Sequence, residues 1–72
     1  MKLEKFYMIV DKRMCDYPNE RKGQAMYNAL WFDLGRDDLA DLIVGTENDP
    51  FHMDSRIDNF IHFLVTKGFL SR

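Results

Sequence analysis

Apolar residues recur along this chain at helical intervals. Leu3, Phe6, Tyr7, Val10 and Met14 stand at i, i+3, i+4, i+7 and i+11, with Lys5, Asp11, Lys12 and Arg13 between them. That spacing predicts a helix over Lys2 to Met14, its apolar arc widened by Met8 and Ile9. A strand over Phe6–Val10 is the competing reading, and the charged flanks favour the helix. Pro18 ends the segment, because the residue before a proline is pushed out of the α region. A second helix is predicted from Glu20 to Leu34, with Asn19 as N-cap and Gly35 as the stop. It carries two apolar stripes: Tyr27, Leu30, Trp31 and Leu34 on one, Ala25, Ala29 and Phe32 on the other. A helix apolar on more than one face is central to its fold or part of an interface. Gly23, early in this helix, suggests a close helix–helix contact.

The third segment is short, Asp38 to Val44. Asp37 or Asp38 caps its N-terminus, where the helix dipole favours anions. Leu39, Leu42 and Ile43 face inward, and Gly45 ends it. Thr46 to Asp54 reads as a loop by its turn residues. The fourth helix is predicted from Ser55 to Lys67, with Ile57, Phe60, Ile61 and Leu64 on one face. Ser55 and Asp58 resemble a capping box, Gly68 is the stop, and Phe69 to Arg72 is a tail. The expected fold is all-α: a compact bundle of three to four short helices, one domain over residues 1–72.

Size changes the picture. At 72 residues, the chain sits where a lone core rarely supplies more than about 3–5 kcal/mol. One cysteine, Cys15, allows no internal disulfide, and two separated histidines make no zinc set. Stability must come from packing or association, for which a hydrophobic content of 46% is ample supply. No apolar run is long enough to span a membrane. The start lacks a signal-peptide pattern, which with the free thiol points to a cytoplasmic location. A net charge of −2 argues against a protein that lives on phosphate backbones.

Candidate chemistry is sparse. Asp49, His52 and Asp54 lie within six residues and suggest a metal or acid–base site, but turn and capping roles explain them better: Asp49 starts the turn before Pro50, Phe51 plugs into the core, and Asp54 caps the fourth helix. His62 reads as a half-buried helix residue beside Asp58, and Cys15 as a small buried hydrophobe. Lys12, Arg13, Glu20, Arg21 and Lys22 read as a solvated helix start. No catalytic, cofactor or metal site is expected, and the chain does not read as an enzyme. Trp31, Phe32 and Phe63 are hard to bury together in so small a core, and such residues are favoured at interface centres. The partner-binding residues expected are Ala25, Ala29, Trp31 and Phe32, rimmed by Asp33, Asp37 and Asp38. The small alanines would let a second copy approach closely, as in a homodimer.

From Arg21 to about Leu64 the chain resembles a group of small, mostly uncharacterised proteins of tailed bacteriophages. The resemblance rests on Arg21-Lys22-Gly23-Gln24-Ala25, Asn28 and Leu30; on Leu39-Ala40, Ile43 and Gly45-Thr46; and on Asp49-Pro50-Phe51, Asp54, Arg56-Ile57 and Phe60. Asp38-Leu39 departs from it, standing where that group places a proline before the third helix. No catalytic residues come with the resemblance. It implies a phage-encoded protein acting in the infected bacterial cytoplasm, and the motif itself has a scaffold reading. The functional expectation is a protein-binding module that occupies a host protein, to redirect host machinery or block a defence system. A small nucleic-acid-binding regulator is the alternative, and a virion or accessory structural role another. A helix-turn-helix would make the third segment the recognition helix, yet it carries no Arg, Lys, Asn or Gln to read base edges.

Overall fold

The computed structural model describes residues 1–72 and is all-α. Helix α1 spans Leu3–Asp16, α2 Lys22–Asn28, α3 Asp37–Ile43 and α4 Ile57–Thr66; a five-residue π turn, Ala29–Asp33, continues α2, and a 3-10 turn, Asp54–Arg56, leads into α4. The strand alternative for Phe6–Val10 is absent: those residues lie inside α1. No helix is long and apolar enough to cross a membrane.

The core follows the predicted periodicity. Phe6 and Val10 of α1, Met26 and Leu30, Ile43, and Phe60 and Leu64 of α4 are all at most 1% exposed. Phe6 meets Phe60 with ring centroids 6.2 Å apart, joining the first and last helices. Leu39 and Ile43 point inward as expected, but Leu42 is 55% exposed. The seven-residue α3 has room on its buried face for Leu39, Ala40 and Ile43 only, and Leu42 lies about 100° from Ile43.

Three expected caps are replaced. Asn19 does not cap α2, which starts from Arg21 without a local side-chain cap. Neither Asp37 nor Asp38 caps α3: Arg36 holds the N-cap position, and Asp38 instead pairs with the Arg36 side chain at 3.0 Å. Ser55 does not cap α4, whose first turn grows out of the 3-10 turn. The C-terminal residues are not a loose tail. Leu70 is 2% exposed in the core, and Ser71 forms a parallel bridge with Lys2, in which the Leu3 N–H donates to the Ser71 carbonyl at 2.8 Å. Gly68 makes the reversal possible: at φ +78° it occupies left-handed space that favours glycine.

Candidate functional site

The π turn is where this fold departs from regular geometry. The Leu34 N–H reaches back five residues to the Ala29 carbonyl at 2.9 Å, which widens the turn by one residue. Consecutive side chains on an α-helix diverge by about 100° and do not face each other. Here Trp31 and Phe32 stack, with centroids 4.3 Å apart and planes inclined by 26°. Both remain in solvent, 41% and 60% exposed. The pair is therefore not part of the core, although Ala29 and Leu30 just before it are.

A buried arginine holds the π turn against α1. Arg13 is 8% exposed; it donates Nε–H and Nη2–H to Glu20 at 2.9 and 3.1 Å and Nη1–H to both Asp33 oxygens at 3.2 and 3.3 Å. The Asn28 amide donates to the same Glu20 carboxylate at 2.9 Å. The Arg13 hydrogen bond, then that from Asn28, holds Glu20 below the usual carboxylate range against the opposing effect of burial. Arg13 also lies over the Tyr17 ring at 4.4 Å and 5.8 Å from the Phe32 centroid. Beside it runs a groove of about 390 Å³ between α1 and the π turn, lined among others by Lys5, Met8, Lys12, Tyr17 and Asp33. The solvated helix start expected around Lys12 to Lys22 is thus half right: Arg13 is buried and paired, because three chain segments converge on it.

The residues Arg21, Gly23, Gly45, Thr46, Asp49, Phe51 and Asp54 fold into one knot. The N–H of Gly23, near the start of α2, donates to Asp54 Oδ1 at 3.0 Å. Asp54 therefore caps α2, not α4, placing an anion at the positive end of that dipole. Arg21 lies 3.7 Å from the same oxygen and hydrogen-bonds the Phe51 carbonyl. Asp49 accepts from the Phe51 N–H and the Gly45 N–H, both at 2.9 Å. Gly45, at φ +75°, presents its N–H there from a backbone region that L side chains rarely adopt. The Thr46 hydroxyl donates to the Ile43 carbonyl at 2.6 Å. Gly23 serves a helix–loop contact and not the expected helix–helix one, since Pro50 and Asp54 lie against it.

Of the residues expected to bind a partner, the structure brings Trp31 and Phe32 together in solvent but not the two alanines. Ala25 and Ala29 are fully buried, so the close-packed dimer face expected of them is not available. The π turn displaces Phe32 from the stripe it would share with them on a regular helix. Asp37 is exposed, and the Asp38 charge is answered by Arg36, which itself lies over Phe69 at 4.8 Å. The carboxylates that share a cavity with Trp31 are Asp41 and Asp49. Cys15 is exposed, not a buried hydrophobe, and His62 is exposed, not half-buried. No three His, Cys, Asp or Glu side chains gather as a metal would require. Periodicity alone missed Arg13, because nothing local marks an arginine as buried. No family model, curated protein or solved structure matches this chain.

Proposed function

We propose that this protein is a small protein-binding module that acts stoichiometrically, with the Trp31–Phe32 pair as its docking point. The observation that carries the reading is the exposure of this stacked pair beside the Arg13 groove. Every buried side-chain polar atom has a hydrogen-bond partner and the core is complete without either ring, so neither is needed to fill it. Large aromatics are the residues most enriched at interface centres. Exposed Met8 and Tyr17, 66% and 52%, line the same groove and extend the apolar surface. The resemblance to phage proteins supports a host bacterial protein as the partner and the host cytoplasm as the location. The nucleic-acid alternative is disfavoured, because α3 presents exposed Asp37, Asp38 and Asp41, which repel phosphate.

The test is capture of partners from bacterial lysate, followed by titration of the purified binary complex with wild type and Phe32→Asp. Phe32 is exposed, so the variant keeps its fold, checked by its melting curve. Binding should weaken by at least about tenfold, the loss expected of a hot-spot aromatic. Equal affinity of the two proteins, or no partner captured, overturns the proposal.

A further inference from the structure

Trp31 also borders a cavity of about 320 Å³ that Phe32 does not line. Three of its walls are aromatic. Tyr27 stands edge-on to Trp31, centroids 6.1 Å apart and planes at 67°, and edge-on to Phe51 at 5.8 Å and 87°. Two of these walls are held by hydrogen bonds. The Tyr27 hydroxyl donates to the Ala40 carbonyl at 3.2 Å, and Phe51 is held at both backbone ends, its N–H by Asp49 and its carbonyl by Arg21.

Two of the remaining four walls are acidic. Asp41 and Asp49 line the cavity with Val44 and His52, and no lysine or arginine does. Neither carboxylate is in an ion pair. Asp49 is 8% exposed and is satisfied only by backbone N–H groups, so its charge is not cancelled locally. The Tyr27 hydroxyl senses that field: its pKa is raised, first by burial and then by Asp49 and Asp41. Rings that offer negative π faces, set beside uncompensated carboxylates, attract a desolvated cation. A guanidinium suits such a box best, being planar, weakly hydrated and able to stack on rings.

We infer that this cavity receives an arginine side chain of the partner, its guanidinium held by the Tyr27, Trp31 and Phe51 rings and countered by Asp41 and Asp49. The source of the arginine rests on the docking reading above; the cation site itself does not.

Trp31 is the only tryptophan and reports directly on the cavity. N-acetyl-arginine amide is titrated to about 50 mM, a range that reads weak millimolar affinities, following Trp31 fluorescence and its indole N–H in NMR spectra. The blocked citrulline derivative, of nearly the same shape without the charge, is the control. Saturable binding of the arginine compound is expected, with citrulline at least about fivefold weaker. Asp41→Asn, an exposed position whose melting curve should match wild type, should weaken arginine binding by about threefold or more. No saturable shift, equal response to citrulline, or an unaltered affinity in Asp41→Asn overturns the inference. If Phe32→Asp breaks the partner complex while the arginine compound fails to bind, docking stands and the cation site falls. The reverse pattern leaves the cation site and removes the docking reading.

Discussion

Gly23→Ala separates two accounts of the motif around Gly23 and Asp54 by the sign of one measurement. On an open helix the change is stabilising by about 1 kcal/mol, because alanine gains in helix propensity. Here an added Cβ falls well inside van der Waals contact with the Pro50 carbonyl oxygen, 3.1 Å from the Pro50 carbonyl carbon and 2.8 Å from Asp54 Oδ1. The nearest obstacle is backbone and does not rotate away, so the 50–54 loop must lift from α2. Overpacking of this kind costs about 1–3 kcal/mol. Lifting the loop also lengthens the Gly23 N–H to Asp54 bond, and a hydrogen bond to a charged group is worth about 1.5–3 kcal/mol. After the gain in propensity, the net is a destabilisation of about 1.5–5 kcal/mol. Against the roughly 3–5 kcal/mol that a lone core of this length supplies, the upper end unfolds the protein. For a domain of this size the melting temperature should fall by at least about 6 °C. Thermal melts by circular dichroism, backed by denaturant titration, read the effect, and Asp54→Asn supplies the second variant for a double-mutant cycle. A Gly23→Ala protein that melts at or above wild type would refute the helix–loop contact, and with it the scaffold role of the motif.

Two further outcomes follow from buried groups. Glu20 has its folded pKa depressed by Arg13, so its contribution to stability is present above its ordinary value of 4.5 and is lost as pH falls through the folded value. The stability gap between wild type and Glu20→Gln should therefore be widest at neutral pH and narrow on acidification; a gap that stays constant down to about pH 3 would contradict the Arg13–Glu20 pairing. Leu70→Ala should cost about 2–5 kcal/mol, whereas Leu42→Ala should stay within about 0.5 kcal/mol; equal midpoints in denaturant would mean the C-terminal residues do not enter the core.

How much of the site was legible follows from the range of the forces involved. Trp31, Phe32 and Phe63 stood out as surplus aromatics for so small a core; the first two are exposed, whereas Phe63 packs against the core. Phe32 was grouped with Ala25 and Ala29 because a regular helical wheel was extended through a π turn that no residue type announces; the two alanines stay together on a face that the core buries. The aromatic cavity was invisible, since Tyr27 and Phe51 lie far apart in the chain and either ring taken alone reads as core.

The sequence by itself determined where helices form and stop. Side-chain period, proline and glycine act within a turn or two, and the segments ended close to where those residues placed them. Only the tertiary structure decided which neighbours each helix acquired. The cap of α2 comes from Asp54, the partners of Arg13 from Glu20 and Asp33, and the closure of the core from Leu70 after Gly68 turns the chain back. Those choices depend on which surfaces become mutually buried, a property of the packed whole, because desolvation and hydrogen bonding between distant residues leave no periodic trace along the chain.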